Sequence, residues 1–418
     1  MVKGATLTDR WRTSAFRPVI QQPVLRRLLP AFAVSAVGDG MAMVAVAWLA
    51  ISIASPSDRA VVVGVSVAAY TLPGAAGAVL LSRPLRTLAG RHLVAADSTL
   101  RALALGVIAT LFALSLLHPP LYISVLAVSS LLHAWGLSGQ YTLIAEHLPP
   151  ESRTAGNALL SGFGMASFVI GPVLAGLAVA LAGPGLPVAV DAASFAVLAV
   201  AALTARGAAT PAGEASDVRT RTRGFAVIAR NRVLLGLLAL TVVYYFLYGP
   251  VEVALPLYVT GPLHGDAGLL GLFWTVFGIG ATTGSLIAGL TRRLPIWPAL
   301  LAAVVGWGAA LLPLGVLTLT VPAMAGFALG GLLYAPYPAL SMTLFQRESA
   351  AGSLSQVLAA RGAITVLATP LGTALGGPLT SWIGAQRTLL VSASATIASG
   401  FIATAIVAVR RGRPGVTS

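Results

Sequence analysis

Two carboxylates stand where an apolar chain has little reason to place them. In VSAVGDGMAMVA, Val34 to Ala45, Asp39 sits between two glycines with no basic residue nearby in sequence. In YYFLYGPVEVALPLY, Tyr244 to Tyr258, Glu252 lies among four tyrosines and between Pro250 and Pro256. An acid at the centre of a bilayer costs roughly 2.5–3.5 kcal/mol, while each Leu, Ile, Val or Phe gains only about 0.3–0.6. Low dielectric penalises the charged form of a carboxyl, so such a group can take up and release protons near neutral pH. Asp39 is therefore a first candidate for proton exchange, expected to be buried without a permanent partner. The plainer alternative is a neutral acid hydrogen-bonded inside the bundle, to Ser35 one turn back. Glu252 is a second candidate, for a proton or a cationic substrate; its rival role is an interfacial acid in a tyrosine belt.

The surroundings of Glu252 suggest a ligand. Tyr244, Tyr245 and Tyr248 offer flat faces with hydroxyl ends, suited to an amphiphilic organic molecule. Pro250 and Pro256 break the helical ladder, and broken helices at membrane depth are tolerated where they line a cavity. Tyr244, Tyr245, Tyr248 and Pro250 are thus expected in a substrate cavity. Asp97 and Arg101, four residues apart in DSTLR, read as a structural charge pair on one helix face. Arg361 either snorkels or pairs with an acid from the other half of the chain. Asp191 reads as a cap, and His133 as a satisfied interior residue.

Composition says what holds these groups. The chain has 418 residues, 57% hydrophobic and only 9% charged, with a mean hydropathy of +0.89. Soluble domains carry about 25% charged residues, so most of this surface faces lipid. Twelve runs are long enough to span: 28–53, 61–82, 93–117, 120–144, 156–182, 185–205, 233–260, 267–290, 296–315, 318–344, 354–381 and 385–409. The expected fold is an all-α membrane protein of twelve transmembrane helices in two six-helix bundles. Asp39, 12 residues past Arg27, falls roughly 18 Å into the first helix at about 1.5 Å per residue.

The net charge of +14 points to topology rather than to nucleic acid, because cytoplasmic loops collect Lys and Arg. Twenty-two basic residues fall in the tails and the loops on their side, and only Arg59 and Arg387 in the opposite loops. Both termini are expected in the cytoplasm of a bacterial plasma membrane, with the first helix an uncleaved anchor. The chain divides into an N-terminal tail (1–27), a first bundle (28–205), a cytoplasmic linker (206–232), a second bundle (233–409) and a C-terminal tail (410–418). The linker carries a short basic helix at FAVIARNR. With no cysteine there is no thiolate site, and no histidine spacing suits a metal. No cofactor is expected. GIGATTG, Gly278 to Gly284, resembles a dinucleotide fingerprint but has no preceding strand, and small-residue helix packing explains it better.

The halves repeat. Gly171-Pro172 in the fifth span is answered 198 residues later by Thr369-Pro370 in the eleventh, each in a small-residue helix after a polar turn. Repeat-built transporters hold substrate between their halves near the midplane. With IGPVLAG in the fifth span, this layout resembles the major facilitator superfamily. VGDG in the first span, GNAL opening the fifth, DAASF at Asp191 to Phe195 and TPLGTALGG at Thr369 to Gly377 resemble its drug and siderophore exporters, such as macrolide efflux and enterobactin export proteins. The resemblance covers residues 25–409. It implies that Gly171, Pro172 and Gly176 form the helix-packing motif associated with export by antiport. Ala175 stands where that motif usually has a second glycine, and Ser167 where it has an earlier one. The loop SRPLRTLAGRHL keeps the family's bases and lacks its usual acid, which weakens the latch expected between the halves.

The expected function is a proton-coupled exporter of a hydrophobic or amphiphilic small molecule, working by alternating access and as a monomer, with no enzymatic activity. An uncoupled facilitator or importer is the alternative. A lipid-modifying membrane enzyme needs clustered His, Asp or Arg at one face, and a sensor or scaffold needs no buried acids on facing halves.

Overall fold

A computed structural model of the chain describes residues 16–85, 87–205, 218–290, 295–350 and 352–411. Among them there are helices and turns and no strand. Outside them lie Lys3, Arg10 and Arg12 of the N-terminal tail, 206–217 of the linker, Arg86, Arg292 and Arg293, and Arg413 of the C-terminal tail.

Twelve spans appear in the expected order: Pro23–Ile53, Arg59–Ala78, Gly90–Ala113, Pro119–His147, Pro150–Ala182 and Gly185–Thr204, then Arg232–Thr260, Ala267–Ile287, Ile296–Val316, Thr320–Glu348, Leu354–Ile383 and Ala385–Val409. Lipid offers backbone groups no partners, so each crossing closes its own hydrogen bonds as a helix. Starts and stops follow local chemistry. Prolines occupy the first turns at Pro23, Pro119 and Pro150, where the missing N–H costs nothing. The fifth and eleventh spans, equivalent in the two halves, both end at a glycine with positive φ, Gly183 at 80° and Gly384 at 85°. The linker forms a helix at Val218–Arg230, which packs on the eleventh span where Gly224 meets the Gln356 backbone.

The expected break in the seventh span does not occur. Arg232–Thr260 is one helix with Pro250 and Pro256 inside it. Neighbouring spans bond to the carbonyls on either side of Phe246, whose own helical partner Pro250 removes: Thr369 donates to the Tyr245 carbonyl at 3.2 Å and Ser392 donates to that of Leu247. The helix is interrupted instead in the fourth span, at Leu131–Leu132, and in the tenth, at Ala335 before Pro336. These two are also equivalent in the halves.

Small residues set the helix approaches, since the hydrophobic effect gives no drive between helices in lipid. Within the first half, Gly171 faces Gly40 so closely that a Cβ on either would overlap the other helix's backbone. Gly280 and Gly284 of GIGATTG lie on the Ala328 and Leu332 carbonyls of the tenth span, the packing role expected for them. Between the halves, Gly64 of the second span meets Gly377 of the eleventh, and Gly176 of the fifth meets Gly268 of the eighth. Both contacts lie near the ends of their helices remote from the chain termini, so the halves close there.

Candidate functional site

A cavity of about 560 Å³ lies between the halves. Its wall includes Asp39, Met43 and Val46 from the first span, Val67, Tyr70 and Thr71 from the second, and Met165 and Phe168 from the fifth. Across from these stand Tyr248 and Glu252 of the seventh span, Trp274, Phe277 and Ser285 of the eighth, and Tyr334 and Pro338 of the tenth. The lining crosses the middle of the membrane, from Val46, Glu252 and Trp274 on the side of the glycine contacts to Ser285 and Pro338 on the side of the termini.

The two acids singled out in the sequence thus share one cavity, each from the first helix of its half. Their settings differ. Glu252 accepts a hydrogen bond from Thr373 at 3.0 Å, and among the described residues no lysine or arginine pairs with it. The tyrosine-belt alternative is set aside, because the carboxyl faces the cavity. Asp39 is not without a partner. Arg101 of the third span donates from Nη1 to its Oδ1 at 2.8 Å, and the Tyr70 hydroxyl donates to the same oxygen at 3.2 Å. Ser35 takes no part in this. The Asp39 side chain is 38% exposed and that of Arg101 only 2%, so the acid faces the cavity and the base lies behind it.

This corrects the expected Asp97–Arg101 pair. Residues four apart share a helix face, but a neighbouring span offered Arg101 a closer oxygen. Asp97 remains buried, with Oδ1 lacking any hydrogen-bond partner. The guanidinium of Arg101 lies between two rings, 5.0 Å from the centre of Tyr70 and 4.4 Å from that of Phe195. Desolvated cations gain about 2 kcal/mol from such faces. Asp191 is no surface cap: it is 2% exposed, takes a hydrogen bond from Ser194 at 3.3 Å, and packs against Gly38. Arg361 neither snorkels nor meets an acid of the first half. It is buried, donates to Ser341 at 3.2 Å, and lies 5.2 Å from the centre of the Phe345 ring.

The expected tyrosine wall is also corrected. Of Tyr244, Tyr245, Tyr248 and Pro250, only Tyr248 lines the cavity. Tyr244 is fully buried and stacks on Tyr337 and Tyr334 with ring centres 4.0 and 5.2 Å apart. Helical rotation turns Tyr245 away, and Pro250 packs on Gly376 of the eleventh span. The aromatic wall is completed by Trp274, Phe277 and Tyr334, with Tyr248 and Tyr334 centred 5.0 Å apart. The run FWTVF at 273–277 carried that signal in the sequence. Tyr70 had no comparable mark, nor had Glu146, whose Oε1 accepts the Gly90 N–H at 3.0 Å and caps the third span.

The fifth-span motif packs in two directions. Gly171 meets Gly40 of the first span, Gly176 meets Gly268, and the Pro172 carbonyl lies on Gly271 of the eighth. Beside them Thr275 donates to the Val169 carbonyl at 3.0 Å, binding the halves together. Among the described residues no cluster of His, Asp or Glu could hold a metal ion.

Comparison with known proteins agrees with this architecture. The family model for the Major Facilitator Superfamily matches residues 28–364. An uncharacterized MFS-type transporter, y4rN, of Sinorhizobium fredii is 29% identical over 268 residues, 62% of this chain and 65% of its own length. The multidrug efflux pump Tap of Mycobacterium tuberculosis is 29% identical over 406 residues, covering 92% of this chain and 93% of Tap. Among solved structures, the nucleoside transporter NupG superposes with a TM-score of 0.71 at 14% identity, over 92% of this chain and 99% of that one. The last likeness is one of fold.

Proposed function

We propose that this chain, which belongs to the Major Facilitator Superfamily, is a proton-coupled exporter of hydrophobic or amphiphilic small molecules. It is a transporter and not an enzyme, and its relatives include a named multidrug efflux pump. In this reading it works as a monomer in a bacterial plasma membrane, with both termini in the cytoplasm. The cavity then opens to the cytoplasm and the glycine contacts seal the outer side.

One observation carries the reading: the cavity between the halves holds two carboxylates of unequal status against an aromatic wall. Asp39 has a cation at 2.8 Å and Glu252 has a hydroxyl at 3.0 Å. A ligand entering from the cytoplasm or the inner leaflet meets Tyr248, Trp274, Phe277 and Tyr334, whose faces suit apolar rings and organic cations. Glu252 supplies a counter-charge or a proton. Asp39, facing the same space, exchanges its proton as the halves rock and expose it to each side in turn.

Everted membrane vesicles given a fluorescent lipophilic cation in the external medium test this. Expression of the protein should produce accumulation that collapses when an uncoupler is added, and a susceptibility panel against an empty-vector strain should identify exported compounds. Equilibration without accumulation identifies an uncoupled facilitator, and accumulation that persists with the uncoupler present shows a different energy source; either result ends the proton-coupled reading.

A further inference from the structure

Behind Asp39 the first bundle holds a second acid that the substrate cavity does not reach. Asp97 is one helical turn before Arg101 on the third span. It is 6% exposed, and its carboxylate lies against Gly136 of the fourth span, where a Cβ would leave it no room. Its Oδ1 has no hydrogen-bond partner, and neither has Nε of Arg101. A cavity of about 10 Å³, bordered by Asp39, Asp97, Arg101, His133 and Gln140, joins these groups. That is the space of about one water molecule. The other charged or titratable groups around Arg101 are Tyr70 from the second span and Asp191 from the sixth.

A buried guanidinium flanked by two carboxylates, one engaged and one with a free oxygen, has two seats. We propose that Asp97 is a second proton site, and that Arg101 moves between Asp39 and Asp97 to pair with whichever is ionised. The inference rests on the proton-coupled reading of the cavity and extends it by a separate proton route.

Charge dictates the sequence of states. Removing one partner of a buried ion pair costs about 3–5 kcal/mol, so the resting site holds one guanidinium, one carboxylate and one proton between the two acids, and it passes through two carboxylates only while Asp39, whose side chain is 38% exposed, faces the cavity. With Arg101 on Asp39, as observed, the proton resides on Asp97. Asp97 then gives that proton to solvent at the termini end while Arg101 turns to the new carboxylate. Asp39, released, takes a proton from the cavity when this faces the opposite side. Transfer of that proton from Asp39 to Asp97 restores the first state. One O–H bond breaks and one forms at each transfer, and no other reactant is needed.

The geometry suits this route. The Tyr70 and Phe195 rings contact the guanidinium without accepting its N–H groups, and Nε remains without a partner. Asp97 lies seven residues from Gly90, roughly 10 Å from that end of the helix, whereas Arg101 is level with Asp39 at roughly 16–18 Å. Protons thus leave by the third and fourth spans while substrate occupies the space between the halves.

The test reads protonation directly. Infrared difference spectra of purified wild-type protein against Asp97→Asn at neutral pH should show a protonated-carboxyl stretch lost in the variant. The decisive comparison is Asp39→Asn, which leaves Asp97 in place: Arg101 should turn to Asp97, ionise it and remove the same band. A band that survives in Asp39→Asn overturns the proposal. So does a band missing from Asp191→Asn instead of Asp97→Asn, because the alternate seat is then Asp191. In proteoliposomes Asp97→Asn should lose pH-driven accumulation more completely than substrate counterflow, with partial recovery in Asp97→Glu. Wild-type accumulation without a pH gradient refutes the coupled reading itself; driven accumulation by wild type and Asp97→Asn alike refutes only the second site. Should Asp97→Asn fail to fold, the wild-type and Asp39→Asn spectra decide the question alone.

Discussion

Thr373 of the eleventh span donates a hydrogen bond to the Glu252 carboxylate of the seventh at 3.0 Å, across 121 residues of sequence. The same hydroxyl lies 3.0 Å from the Thr369 carbonyl one turn back, which fixes its rotamer. Glu252 is therefore aimed into the cavity by a neighbour and not by its own helix.

This arrangement separates charge recognition from apolar recognition. Glu252→Gln should weaken binding of organic cations at least tenfold, the equivalent of about 1.4 kcal/mol, and change the affinity of neutral ligands little. Thr373→Val keeps the carboxylate but frees its orientation, a loss of about 1 kcal/mol. Fluorescence titration with a cationic and a neutral ligand of similar size checks both. Equal losses for the two ligands argue against Glu252 as a counter-charge.

The Asp39 carboxylate carries the coupling in the proposed mechanism. Asp39→Asn keeps the shape and removes the titration, so proteoliposomes should retain substrate binding and exchange but fail to build a gradient under an imposed pH difference. Asp39→Glu should keep partial coupling with a displaced pH optimum. If Asp39→Asn still concentrates substrate, Asp39 is not the coupling site and the proton role passes to Glu252.

At Gly171 a Cβ would come within 2.4 Å of the Gly40 backbone. Gly171→Leu must push the first and fifth spans apart, at a cost of about 1–3 kcal/mol for overpacking. Membrane insertion should be unaffected, because the span stays apolar, while transport should be abolished. Normal transport by that variant removes the motif from the mechanism. Gly106, with nothing within 4 Å of its Cβ position, offers a control in which Gly106→Ala is silent.

Orientation rests on the distribution of arginine and lysine. Reporter fusions after Arg223 and after Arg413 should both report cytoplasm. A periplasmic signal from either overturns the orientation and, with it, the side on which the cavity opens.

The twelve spans, the two halves and the small-residue motif were legible in the chain alone, because apolar length and glycine spacing are local properties that lipid enforces without help. The sequence also marked Asp39 and Glu252 for attention, since an isolated acid in an apolar run is costly wherever its helix packs. It could not say what those acids touch. Asp97 and Arg101 look like partners at a spacing of four, but the packing of the first and third spans paired the guanidinium with Asp39, 62 residues away along the chain, and set the Tyr70 ring against it. Pro250 and Pro256 look like breaks, yet the packed span is one helix from Arg232 to Thr260, with Thr369 and Ser392 of distant helices bonded to carbonyls beside the first proline's gap. Four tyrosines look like one wall, yet rotation about a single helix axis leaves only Tyr248 on it, and the eighth and tenth spans bring Trp274, Phe277 and Tyr334 to complete it. Partner choice and helix rotation depend on side chains from other helices, which no local stretch of chain contains.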